Sequence, residues 1–193
     1  MGLSNAGKST LLNGIIVCEI LPAATKEYTK KWVLIKHSNS EIPVIRKTRL
    51  KHEKIGEEDI YFFENDKDII GMGLENINRV LNGINGEFTD NAEDYFYEID
   101  IKISFVNNKK ISDNLKEKIC FIDMPGFGTI NAFEKKDVYS KLIKSCDIFL
   151  FIVKNLAIKQ EENKIMLDNL FKNISEYRGI STEAIIKKRF IYY

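Results

Sequence analysis

The stretch Gly2-Leu3-Ser4-Asn5-Ala6-Gly7-Lys8-Ser9 restricts the possible folds of this chain more than any other. Glycines bounding a four-residue span let the backbone bend until successive N–H groups point into one hollow. Leu11, Leu12, Ile15 and Ile16 then recur at helical spacing, which predicts a helix over 9–18 with its positive end at that hollow. Such a bend is built for a polyphosphate. The pattern G-x-x-x-x-G-K-S assigns Lys8 to the β- and γ-phosphates and the Ser9 hydroxyl to Mg²⁺. The expected nucleotide-binding set is Gly2, Ser4, Asn5, Ala6, Gly7, Lys8, Ser9 and Thr10.

The rest of the chain alternates strand and helix signals. Trp32-Val33-Leu34-Ile35 is a compact strand-forming run. Residues 38–63 are highly charged and weakly patterned. Leu74, Ile77, Val80, Leu81 and Ile84 predict an amphipathic helix over about 73–84, ended by Gly83 and Gly86. Tyr97, Ile99, Ile101, Ile103 and Phe105 alternate with Glu98, Asp100, Lys102 and Ser104, predicting an edge strand with one buried and one wet face. Ile119–Ile122 predicts a strand ending at Asp123. A helix is expected from about Asn131 to Ser145, a strand covered on both faces over Ile148–Val153, a helix over 161–174, and a strand at Phe190–Tyr193. The order predicts an α/β three-layer sandwich, a mostly parallel sheet with helices on both faces.

With 193 residues, 29 Lys and Arg and 28 Asp and Glu, the chain suits one domain and carries no net field for nucleic acid. Cys18, Cys120 and Cys146 have no metal-ligand spacing and are expected to be small core side chains. The longest uninterrupted apolar run, Ile148–Val153, is too short to cross a bilayer, so a soluble, cytoplasmic protein is expected.

Two further motifs carry chemistry. Asp123-Met124-Pro125-Gly126 follows an apolar strand, where an Asp can reach Mg²⁺ through water and the Gly126 N–H can meet the γ-phosphate. Leu21-Pro22-Ala23-Ala24-Thr25-Lys26-Glu27-Tyr28-Thr29 ends just before the Trp32 strand. With these residues the sequence resembles the dynamin-like GTPases. Thr29 matches the first-switch threonine that ligates Mg²⁺ and helps place the attacking water, and Thr25 is the alternative. The span from Thr29 to Asp123 covers 94 positions, far more than in Ras-like or Era-like relatives and similar to the extended insertion of dynamin-like proteins.

The resemblance implies GTP and GDP as ligands and hydrolysis by in-line water attack. It implies catalytic roles for Lys8, Thr29 and Gly126, with Mg²⁺ held by Ser9, Thr29 and Asp123. Phe127 occupies the place where Ras-like proteins have a water-orienting Gln. Asn5 is the expected ligand of a monovalent cation, K⁺ or Na⁺, with a plain loop-ordering role as the alternative. Residues 1–193 are then expected to form a partial dynamin-type G domain. Its parts are a P-loop at 2–9, switch I at about 21–31, an insertion at about 38–94 and switch II at 123–131. The first strand and the C-terminal part, including the guanine-reading motif, are expected to be missing. The chain alone is therefore expected to be poorly stable and weak or inactive toward nucleotide. The intact protein is expected to dimerise through the G domain and to reach membranes through other regions, as a peripheral protein. The alternatives are another P-loop GTPase of Era-like or septin-like kind, an ATPase, or a non-catalytic gene fragment or interaction module.

Overall fold

The computed structural model describes residues 7–22, 32–86, 95–104, 112–125, 146–148, 150, 152, 167–168, 171–172, 174–176 and 179. Two compact units divide the chain. One comprises Gly7–Pro125, and the other Met1–Ala6 with Gly126–Tyr193.

The first unit contains, in order, α1 (Lys8–Ile16), β1 (Val33–His37), β2 (Val44–Ile55), β3 (Glu58–Met72), α2 (Leu74–Gly86), β4 (Tyr95–Ile101), α3 (Asp113–Lys116) and β5 (Cys120–Asp123). Its five strands form one sheet in the order β3-β2-β4-β1-β5. The expectation of a mostly parallel sheet is not met. Only β1 and β4 pair in parallel, while β1–β5, β2–β3 and β2–β4 are antiparallel. The reason lies in the insertion, where β2 and β3 form a hairpin that needs no crossover.

One register line crosses the whole sheet: Phe121 opposite Ile35, Ile35 opposite Ile99, Ile99 opposite Ile45, and Ile45 opposite Gly71. The three isoleucines are fully buried, each stabilising the fold by about 2 kcal/mol relative to exposure. Leu12 and Ile16 of α1 and Ile77 and Leu81 of α2 belong to the same apolar cluster. At Gly71 the sheet and α2 come too close for a side chain. An added Cβ would sit 2.9 Å from Ile45 Cγ2 and 3.4 Å from Val80 Cγ2. Both long helices thus share one core, and a helix on the opposite face is not among the described residues.

The opposite face is buried too, and partly polar. Trp32 and Phe63 each meet the Phe96 ring edge-on, at 5.8 and 5.3 Å between centroids. Beside them the Glu98 carboxylate, 1% exposed, accepts hydrogen bonds from Lys36 Nζ and Asn65 Nδ2, both at 2.5 Å. Asn65 Oδ1 in turn accepts from Thr48 Oγ1 at 2.8 Å. This corrects the reading of β4 as an edge strand with a wet face, since β4 lies in the middle of the sheet. Alternation of apolar and polar residues cannot distinguish a polar side chain facing water from one facing buried partners.

The weakly patterned charged segment is the β2–β3 hairpin. β4 reaches only Val44–Arg49 of β2, so the distal strands form a two-stranded ribbon. Lys51–Ile55 are all exposed, and without a core face no period-two signal is required. α2 runs through Gly83 and ends at Gly86, the second of the two glycines expected to stop it.

In the second unit, residues 167, 168, 171, 172 and 174–176 are helical and Ile174 is buried, as expected of 161–174. Residues 148, 150 and 152 are not in a strand, and Ile148 is 75% exposed, so the described residues do not form the covered strand expected there. The helix expected from Asn131 and the strand at Phe190–Tyr193 lie outside the described residues. Cys120 is exposed rather than a core side chain.

Candidate functional site

Gly7 turns the chain into α1 at φ +87° and ψ 20°, a left-handed conformation that a side chain would strain. Helix α1 starts at the next residue, so Lys8, Ser9 and Thr10 occupy its first turn, at the positive end of the helix. Leu12 and Ile16 lie in the core cluster against which Phe121 of β5 packs. That packing brings the end of β5 to the start of α1.

The result is a close polar contact between residues 114 positions apart. Ser9 Oγ donates to Asp123 Oδ2 at 2.8 Å. Asp123 is 2% and Lys8 8% exposed. Burial pushes the Asp123 carboxyl above the usual carboxylate range, opposed by the Ser9 hydrogen bond, the Lys8 charge and the Met124 backbone N–H. Burial pushes the Lys8 ammonium below its ordinary value, opposed by the charge of Asp123. Burial thus disfavours both ionised forms, and a polyanion arriving at Lys8 or a cation arriving at Asp123 would oppose that effect.

The structure thus brings together Gly7, Lys8, Ser9, Thr10 and Asp123. Gly2, Ser4, Asn5, Ala6, Thr25, Thr29 and Gly126 lie outside the described residues. Among the described residues no group of three His, Cys, Asp or Glu side chains could hold a metal ion. A hydroxyl and a single carboxylate at hydrogen-bond distance nonetheless fit Mg²⁺, a hard cation that takes oxygen ligands and completes its shell with phosphates and water.

A further buried polar side chain falls outside the three motifs. Asn13, on α1, donates from Nδ2 to the Leu21 carbonyl at 2.8 Å and accepts the Leu21 N–H at Oδ1 at 3.0 Å. Its sequence signal is an asparagine inside a helix, a poor helix former placed beside the apolar positions Leu12 and Ile16.

A glycine-turned bend that opens a helix, whose first hydroxyl meets a carboxylate delivered by the end of a sheet strand, defines a P-loop nucleotide-binding domain of the α/β class. The family model described as the dynamin family matches residues 1–184, and the chain belongs to that family. Its domain is accordingly a GTP-binding G domain. No curated protein matches the chain. No helix among the described residues is long and apolar enough to cross a membrane.

Proposed function

We propose that this G domain hydrolyses GTP to GDP and phosphate with Mg²⁺ as cofactor. The hydrogen bond from Ser9 Oγ to Asp123 Oδ2 carries the reading, because a hydroxyl and a carboxylate this close suit the oxygen-ligand demand of a divalent cation. Membership of the dynamin family supports guanine as the base.

In this mechanism the N–H groups around Gly7 and the first turn of α1 hold the phosphate chain, and Lys8 places its charge against the β- and γ-phosphates. Ser9, Asp123 and Thr29 would hold Mg²⁺, which neutralises charge developing on the phosphate oxygens. Thr29 orients the attacking water in line with the departing GDP, and the Gly126 N–H donates to the γ-phosphate. The water proton passes to the released phosphate. Asn5 would hold K⁺ or Na⁺, which would supply positive charge beside the phosphates, with a loop-ordering role as the alternative. Dimerisation across the nucleotide face and coupling to membrane remodelling complete the reading, in a cytoplasmic, peripherally membrane-bound protein.

The test compares the full-length protein with its Lys8→Ala form by calorimetry against GTP, GDP and ATP, with and without Mg²⁺, followed by phosphate release. The expected result is Mg²⁺-dependent guanine-nucleotide binding and turnover, both lost in Lys8→Ala. Binding without turnover would leave a non-catalytic nucleotide-binding module, and no heat with any triphosphate would refute the proposal altogether.

A further inference from the structure

We propose that Asn13 is a positioning residue for the segment carrying Thr25 and Thr29, acting through a two-point grip on Leu21. The proposal rests on the reading of that segment as the first switch of a GTP-hydrolysing site.

The grip is reciprocal. Asn13 Nδ2 donates to the Leu21 carbonyl at 2.8 Å while the Leu21 N–H donates to Asn13 Oδ1 at 3.0 Å. This is the exchange that one strand residue makes with its partner, supplied here by a side chain. It also fixes the orientation of the amide, since a flip would set oxygen against oxygen and nitrogen against nitrogen. Asn13 is 8% and Leu21 4% exposed, so water cannot readily replace either bond.

The backbone of Asn13 is engaged as well. Its carbonyl accepts the N–H of Val17, the left-handed C-cap of α1, and the Cys18 N–H at 3.1 Å. The end of α1, its cap and the outgoing chain therefore converge on one residue. Ile20, fully buried, and Leu21 join Leu12 and Ile16 in the core cluster.

The far end of the segment is fixed too. The Tyr97 N–H donates to the Trp32 carbonyl at 3.0 Å, and the Trp32 ring meets Phe96. Leu21 and Trp32, on either side of the segment, are thus both buried anchors. The first anchor is carried by the same short helix that begins with Lys8 and Ser9. Five residues separate Lys8 from Asn13, about 7.5 Å along the axis at 1.5 Å per residue. The phosphate end of α1 and the departure point of the switch segment are therefore one rigid piece. A residue that must place an attacking water needs such a base, because a misplacement of about 1 Å can cost about a hundredfold in rate.

The experiment compares the full wild-type chain with Asn13→Ala and Asn13→Asp. The aspartate keeps an acceptor for the Leu21 N–H and loses the donor to its carbonyl. Three quantities are read: kcat per folded molecule, Mg²⁺-GDP affinity, and amide hydrogen exchange with and without a non-hydrolysable GTP analogue. For Asn13→Ala we expect Leu21 exchange to accelerate at least about tenfold and kcat to fall about 10- to 100-fold, on the scale of such misplacements. GDP affinity should stay within about threefold, because the expected nucleotide-binding set runs from Gly2 to Thr10 and does not include Asn13. Analogue-induced protection of residues 22–31 should be lost. Asn13→Asp, which when ionised sets an oxygen against the Leu21 carbonyl, should match alanine at neutral pH and recover toward wild type at acid pH. There the protonated carboxyl donates again, keeping the test open if the alanine variant does not fold.

A merely structural role predicts lower stability with kcat per folded molecule unchanged, or kcat and GDP affinity falling together. Either result, or unchanged Leu21 exchange, overturns the positioning role. If the wild-type chain binds the analogue but turns over no GTP, the hydrolysis reading alone fails. The positioning role then stands or falls on the protection of residues 22–31. If the wild-type chain binds no nucleotide, both readings fall together.

Discussion

Replacing Ser9 by Ala deletes one hydroxyl from a contact that joins the two ends of the site. Its Oγ–H lies 2.8 Å from an oxygen of Asp123 that is almost wholly removed from water. Hydrogen bonds to charged groups contribute about 1.5–3 kcal/mol. Asp123 keeps its Met124 N–H and the Lys8 charge, so the lower end applies, about 1.5 kcal/mol or about tenfold in the folding equilibrium. For a chain of this length that lowers the melting temperature by about 3–6 °C. The companion substitution, Asp123→Asn, retains an acceptor for Ser9 and discards a charge that burial disfavours, so the nucleotide-free protein should melt no lower than wild type. Both variants remove a proposed Mg²⁺ ligand, so both should lose the gain in GDP affinity expected from Mg²⁺. Calorimetric melting without nucleotide and GDP titration with and without Mg²⁺ read the two effects separately. A Ser9→Ala protein that melts within about 1 °C of wild type, below the shift expected for even one weak hydrogen bond, would refute the stability argument. Full Mg²⁺ dependence in either variant would refute the assignment of the ligands.

Gly71→Ala would push a methyl group against Ile45 Cγ2 where 2.9 Å is open, and should cost about 1–3 kcal/mol by urea denaturation. An unchanged midpoint would mean that the Ile45 side chain can turn away from the added methyl group. Val17 caps α1 at φ 54° with a β-branched side chain, so Val17→Gly should stabilise the protein by up to about 1 kcal/mol, the relieved strain less the entropy of glycine. A lower melting temperature for Val17→Gly would show that the valine packs usefully despite its exposure. Burial and the neighbouring Glu98 raise the Asp100 carboxyl above 3.8, against the pull of Arg46 and Lys36. A raised acid contributes stability that is present below its unfolded value and lost as pH rises through the folded one. The stability of wild type relative to Asp100→Asn should therefore fall as pH rises from below 3.8, and parallel pH–stability curves for the two proteins would exclude this.

The local signals in the sequence were those that act within a few residues. The spacing of Gly2, Gly7, Lys8 and Ser9 announced a phosphate-binding bend before any partner was known, and Gly7 and α1 take the conformations it required. The periodicity of Leu74, Ile77, Val80 and Leu81 placed α2, and the apolar run before Asp123 placed β5. Each follows from a steric or amphipathic rule that a short stretch obeys by itself. The hairpin of β2 and β3 left no such mark, because a ribbon wet on both faces needs no alternation. The alternation in β4 was real but misleading, because Glu98 faces Lys36 and Asn65 instead of water. Strand direction, the place of β4 at the centre of the sheet, and the grip of Asn13 on Leu21 all depend on which distant segments meet. So does the contact of Ser9 with Asp123, whose partner was expected but whose approach was not visible in the chain. The sequence by itself determined the phosphate-binding chemistry and most of the helices. Pairing and burial decided the rest, because those free energies belong to contacts between residues far apart in the chain.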